Sequence, residues 1–499
     1  MQGSYRLVLS SVVIPFVPIY EFNKRLQTIN KSSIVCKNCA QERGNYEDSC
    51  LSFFYVYGNY YRLIVLDMRK TIFIVALLCS TMLSAIEKVQ FPESFAQGWD
   101  SYIGKMVQIT TPLYVCGNQY DSLILSPERL YVPEERALGL AEGDSTQYWA
   151  LKAANRENSL RLSCKVTNYK VRTGAMLKNL TARVVAPGKL VTGNAPTFLN
   201  NKPEAKPKMP KEGLLICAAN IQNYFYDLGG YAHPKTTKQQ QALQTEKIVK
   251  AFAHINADIY ALCEIQKGDS APQMLVNALN KQVKKARYAY ISQGWSNGDT
   301  LSCGYIYRTD CVRTYGEVQY AYHDTNNLYH YRMVACGFEE LSSGERFVLN
   351  INHLRSKRGT GEESNSKRMV NVDSLLVMLN KIEEEQVFGD TDILLVGDYN
   401  AYAYEQPIQT IVQAGYADMV TKYDPTGYSY VYRSEAGYLD RVFASPSMAT
   451  QVKAVGAYHL NADYFYSRGY KRGLDHTIFR YADHDPVLIQ VQLSPTNNQ

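Results

Sequence analysis

At 499 residues the chain is too long for one hydrophobic core, which points to two or three domains. A composition of 46% hydrophobic and 20% charged residues is that of a globular protein and excludes a disordered or fibrous one. The net charge of +6 permits a polyanionic substrate without demanding one.

Residues 1–67 show no clear periodicity. Their Cys36-x-x-Cys39 pair lacks a second ligand pair, with only Cys50 nearby, and does not read as a zinc site. Met68-Arg69-Lys70 is followed by an apolar run from Thr71 to Leu83 and then Ser84-Ala85. A basic start, a short apolar stretch and small residues at its end make a secretory signal over 68–85, too short for a comfortable membrane span. A start of translation at Met68 explains its position and makes 1–67 a mis-called extension. The competing reading is an anchor over 1–85, with apolar Leu7–Tyr20 as a second membrane-seeking piece. The signal predicts a secreted, periplasmic or cell-surface protein with no membrane attachment after cleavage.

Residues 86–200 read as short strands with turn signals, among them Lys105–Thr111, Leu123–Leu125, Leu160–Leu162 and Leu180–Val185. They predict a small β-domain, either a barrel of the oligonucleotide/oligosaccharide-binding type or a generic one. Stacking of single strands on Tyr114, Tyr120 and Tyr148 is one expectation for it; core or strand roles for these tyrosines are the other. Residues 201–213 carry three prolines and alternating charge, the pattern of a stiff, solvated linker. Of the eleven cysteines, Cys217, Cys263, Cys303 and Cys336 lie in apolar strand-like runs and predict buried thiols rather than a disulfide framework.

From residue 214 to 499 strands and helices interleave, which predicts an α/β domain. Strands are expected at Leu214–Ala219, Ile259–Cys263, Gly304–Tyr307, Phe347–Ile351, Ile393–Val396, Leu439–Ala444 and Val487–Val491. Helices are expected at Lys238–Ile255, Pro272–Lys285, Ser364–Glu385 and Gln406–Ala414. Six of the strands carry a polar residue at or near one end: Asn220, Glu264, Asn352-His353, Asp398 with Asn400, Asp440, and Asp483-His484. Hydrolysis of a phosphodiester needs hard oxygen ligands for a divalent cation, a base for water and an acid for the leaving oxygen. Singly, each residue reads as a turn, a cap or a structural histidine; the argument rests on their ordered recurrence.

That order resembles the endonuclease/exonuclease/phosphatase superfamily over residues 214–493. The resemblance is carried by Asn220–Phe225, Ala261–Ile265, Asp299–Tyr307, Asn352–Lys357, Val396–Ala401, Tyr428–Tyr432 with Ala436–Asp440, His459–Asp463 and Asp483–Val487. Asn352-His-Leu-Arg-Ser-Lys357 and Ser429-Tyr-Val-Tyr432 favour its secreted bacterial nuclease branch. The resemblance implies a four-layer α/β sandwich of two packed sheets. It also implies Glu264, Asn220 and Asp483 at a Mg²⁺ ion, with Mn²⁺ or Ca²⁺ as alternatives, and Asp398 and Asn400 on the attacking water or phosphoryl oxygens. His484 would be the base, held by Asp440; His353 would serve the leaving oxygen, oriented by Asp299; Arg332 and Arg355 would clamp phosphate. Gln222 stands where many relatives carry a carboxylate, favouring one ion, and Ala482 replaces the usual serine. The implied function is a secreted nuclease acting on nucleic acid, DNA foremost and RNA next, with no stable protein partner. A lipid or small-ester phosphodiesterase or phosphatase, and a non-catalytic nucleic-acid-binding protein, are the alternatives.

Overall fold

The computed structural model describes residues 86–494, except 120–121, 165–170, 230–235, 285–286, 293, 295–296, 299, 322–331, 360 and 465–474. The expected extension 1–67, the signal 68–85, Tyr120 and Asp299 lie outside the described residues. The rest is an α/β structure with two six-stranded sheets and, ahead of them in the chain, an eight-stranded one.

Each six-stranded sheet is built around a parallel pair. In the first sheet, Leu214–Tyr224 and Ile259–Gln266 run parallel, flanked by antiparallel Leu301–Arg308 and Val487–Val491. In the second, Arg346–His353 and Ile393–Asp398 run parallel, flanked by Met333–Glu340 and Asp440–Ala444. Side chains alternate between the faces, as a two-residue period requires. Ile216 and Ala218 join Ile351, Leu394 and Val396 in the core between the sheets. Cys217 and Ala219 face the helices Lys238–Ile255 and Ser270–Gln282 through Ile248, Phe252 and Leu275. On the far side, Val348 and Leu395 meet Leu375, Leu379 and Ile408 of the helices Gly361–Glu384 and Gln406–Gln413. Helix, sheet, sheet and helix make the four layers.

The helix Lys238–Ile255 starts and stops where its sequence says it should. The Thr237 hydroxyl accepts from the Gln240 amide and the Gln240 side chain accepts from the Thr237 amide, a capping box. Asn256 closes the other end in the left-handed conformation.

The eight-stranded sheet spans Glu87 to Val191 and has its own core of Val107, Ile109, Leu123, Leu125, Leu160 and Leu162. Residues 201–213 hold no regular element, but the segment is tied down. Asn201 accepts from the Arg172 amide, and Lys206 donates to the Ile255 carbonyl at 2.5 Å. All the described cysteines are free thiols, Cys217, Cys263, Cys303 and Cys336 among them and buried.

The β-domain docks on the four layers through buried charge. Arg441, fully buried, donates to Glu135 of the β-domain and to Asp418. The Glu135 carboxylate also accepts from the Ala403 and Tyr438 amides. A buried guanidinium deprived of one partner is costly. Glu135→Ala is expected to lower unfolding free energy by about 3–5 kcal/mol in urea titration, while Glu142→Ala, an exposed change in the same domain, leaves it within about 0.5 kcal/mol.

Candidate active site

The polar strand-end residues of both sheets converge at one edge of the sandwich. From the first sheet come Asn220, Glu264, and the pair Asp483-His484 just before Val487–Val491. From the second come His353, Asp398, Asn400 and Asp440. Asn220 does not follow its strand; the strand continues to Tyr224 and buries it.

The backbone is bent locally to aim these groups. Glu264 sits at a bulge in its strand with φ 64°, opposite a second irregularity where Gln222 and Asn223 also have positive φ. Asn400 has φ 49°. Such conformations cost non-glycine residues free energy and cluster at functional sites. Gly397 has φ +127°, and a Cβ there would lie 2.1 Å from the Asn352 carbonyl oxygen, so only glycine lets the strand deliver Asp398.

Asn220 is the centre of the carboxylate cluster. Its Nδ2 donates to Glu264 Oε1 at 3.1 Å and to Asp398 Oδ2 at 3.0 Å. Its Oδ1 is taken by the Gln222 amide at 2.9 Å. The amide therefore spaces the two carboxylates and gives its oxygen to the Gln222 amide. Glu264 Oε2 accepts from the Asn223 amide at 2.8 Å, and Asp398 Oδ1 from the Asn400 amide at 2.8 Å. His353 Nε2 lies 3.8 Å from Glu264 and 3.7 Å from Asp398. His353 Nδ1 is buried with no hydrogen-bond partner among the described residues.

His484 Nδ1 donates to Asp440 Oδ2 at 2.7 Å, and its Nε2 lies 3.9 Å from Asp398. The Tyr430 ring packs 4.6 Å from its imidazole. Ser429 Oγ accepts from the Leu439 and Asp440 amides, and Asn461 donates to the His484 carbonyl. Both holding residues lie in stretches that carry the resemblance, Ser429–Tyr432 and His459–Asp463, but the sequence assigned them no role.

Electrostatics follow from burial and crowding. Burial, then the Asp483 charge, raises the Glu264 carboxyl above its usual range. Burial pushes Asp398 up to about 7, with Asp440 and Glu264 adding to it and His484 opposing. Burial also disfavours charge on His484, but Asp440 and Asp398 hold its imidazolium well above the ordinary value. Burial and the charges of Arg332 and His484 hold His353 well below it. Arg332 thus acts on the site, and the Arg355 amide donates to Asn371 of the helix Gly361–Glu384. The buried cluster carries more carboxylate than cation, and its donors are hard oxygens with one imidazole: Glu264, His353 and Asp398 could together hold a metal ion. That chemistry fits a hard divalent cation.

A second buried pair sits beside the dyad. His459 Nδ1 lies 2.8 Å from Asp485 Oδ2, and its ring stacks on Tyr428, whose hydroxyl donates to Asp463. Asp463 in turn binds Arg172 and Thr173 of the β-domain. Burial opposes the His459 charge, but Asp485 raises its pKa to about 9. The folded value exceeds the unfolded one near 6.5, so this stabilisation is complete below pH 6.5 and is lost as pH rises through 9. Its size is about 3 kcal/mol, and His459→Gln should remove that pH dependence from denaturant titrations between pH 6 and 10.

Residues 223–460 match the model of the Endonuclease/Exonuclease/phosphatase family. No curated protein matches the sequence. Among solved structures, an endonuclease/exonuclease/phosphatase from Bacteroides vulgatus is 14% identical, with 57% of this chain and 100% of that one covered at a TM-score of 0.40. The mannosyl-6-phosphatase of Bacteroides thetaiotaomicron is 15% identical, covering 56% and 100% at 0.39. D. rerio TDP2 complexed with a single-strand DNA product is 16% identical, covering 56% and 99% at 0.39.

Proposed function

We propose that the chain, whose residues 223–460 match the model of the endonuclease/exonuclease/phosphatase family, is a metal-dependent phosphodiesterase cleaving nucleic-acid strands, DNA foremost, outside the cell. The observation that carries the reading is the cross-sheet dyad. His484 is oriented by Asp440 at 2.7 Å, with its free Nε2 turned toward the Glu264–Asp398–His353 cluster. Export is supported by the sequence pattern of 68–85; among the described residues no helix is long and apolar enough to cross a membrane.

In this mechanism Asp440 holds the Nδ1 proton of His484; a divalent cation among the neighbouring carboxylates would offset the negative charge that keeps the ring protonated, and Nε2 would then take a proton from the attacking water. The same carboxylate stabilises the imidazolium that results. His353, kept neutral by its surroundings, offers a ring N–H to the phosphoryl or leaving oxygen. Asp398 and Asn400 hold the water and a phosphoryl oxygen, and Arg332 adds positive charge to the phosphate. Of the clustered groups, Glu264 and Asp398 would hold Mg²⁺ with Asp483 beside it, leaving His353 for the leaving oxygen; the ion would supply Lewis-acid charge to a phosphoryl oxygen and offset the crowded carboxylates.

Two measurements check this. In Mg²⁺, Glu264→Gln is expected to lower kcat on a DNA strand by roughly 10²–10³ without changing the melting temperature by more than a few degrees. Specificity constants for DNA, RNA and p-nitrophenyl phosphate are expected to rank DNA first and the monoester last. A monoester cleaved more efficiently than either strand would replace the nuclease reading by a phosphatase.

A further inference from the structure

The hairpin that sets Tyr430 against His484 has its other end in a separate groove. Its strands Tyr430–Tyr432 and Glu435–Gly437 are joined through Arg433 and Ser434. Arg433 and Glu435 line a groove of about 650 Å³ whose remaining walls belong to the β-domain. Lys152 and Arg156 reach it from the helix Thr146–Glu157, Arg161 from the strand Leu160–Ser163, and Lys189 from Lys189–Val191. Among the described lining residues Glu435 is the one carboxylate, and its Oε1 already accepts from Asn155 Nδ2 at 2.7 Å. Five cationic side chains therefore share one groove with a single, occupied anion.

The groove also carries an aromatic face. Trp149 lines it and is 59% exposed, on a helix that buries none of its residues. Its ring makes an edge contact with Tyr148 at 4.9 Å, and Lys152 Nζ lies 5.0 Å from its centroid. An indole left in water beside cations offers a stacking surface, and a cationic channel with such a platform is the arrangement that takes single-stranded nucleic acid. The distance is suitable as well. Arg433 lies three positions along the hairpin from Tyr430, roughly 10 Å, so the groove begins a few nucleotides from the dyad.

We infer that this groove is a second substrate site: it holds the phosphate backbone of a nucleic-acid strand beyond the scissile bond, with a base stacked on Trp149. This rests on the proposed phosphodiesterase reading and names the part of its substrate that lies outside the catalytic centre. It moves the β-domain's contact with the strand away from Tyr114, which lines a different cavity beside Arg129 and Arg172.

The experiment is equilibrium binding of a fluorescein-labelled single-stranded DNA 20-mer to the full chain in EDTA, read by anisotropy over a series of salt concentrations. Binding in EDTA is independent of turnover, so a wild type that binds but never cleaves in Mg²⁺ would strike the proposed activity and leave the groove standing. The Lys152→Gln/Arg156→Gln chain should bind about tenfold more weakly at low salt, with the slope of log affinity against log salt reduced by about 1.4. Trp149→Ala should lose about fivefold or more at every salt concentration with the slope retained. All three residues are exposed, and unchanged melting curves verify folding. Affinity and slope equal to wild type in the double variant overturn the proposal. So does a heparin fragment of equal charge that binds more tightly than the 20-mer and is indifferent to Trp149→Ala.

Discussion

The hydrogen bond between His484 and Asp440 joins two sheets that share no strand. His484 comes from the loop before the last strand of one sheet, and Asp440 opens a strand of the other. The dyad therefore forms only when the sheets pack face to face. The apolar layer of Ile216, Ala218, Ile351 and Val396 between them sets its geometry as surely as any polar contact. Asn220 repeats the principle, since it donates to Glu264 in its own sheet and to Asp398 across the gap. Fold and site are assembled in one step.

Charge is the constraint that this packing creates. Glu264, Asp398 and Asp440 are brought together with two histidines where water is largely excluded, and the carboxyl groups of Glu264 and Asp398 rise accordingly. An arrangement of this kind works against stability, and such clusters of shifted pKa values mark candidate functional sites. The chain compensates around it. Ser429 and Asn461 satisfy the backbone beside each dyad member, Arg441 next to Asp440 is neutralised by Glu135 and Asp418, and Asp485 next to His484 is neutralised by His459. Both neutralising chains run into the β-domain, through Glu135 and through Asp463 to Arg172. That domain is part of the support of the candidate site as well as a neighbour of it.

Much of this was legible in the sequence because the signals are local. Period-two apolar strands, helices with capping signals and polar residues at strand ends can be read along the chain, and the helix Lys238–Ile255 falls where it was expected. What escaped is non-local or lacks a period. The helix Thr146–Glu157 buries nothing, so it has no apolar stripe to find. The strand Val312–Tyr320 is interrupted by Gly316 with φ +72°, and Met333–Glu340 ends in buried glutamates, of which Glu339 is neutralised by Arg313 and Arg346 from the strands on either side of it. The turned amide of Asn220 depends on a bulge that no pattern announces. Pairings such as Glu135 with Arg441 span hundreds of residues and leave no trace in spacing.

The most direct test of the account is cleavage of supercoiled plasmid DNA by the purified protein with Mg²⁺ or EDTA, wild type beside His484→Ala. The account predicts nicking and linearisation by the wild type in Mg²⁺ alone, and a variant slower by roughly 10²–10⁴. Intact plasmid with Mg²⁺ present, or a variant that cuts as fast as wild type, would contradict it.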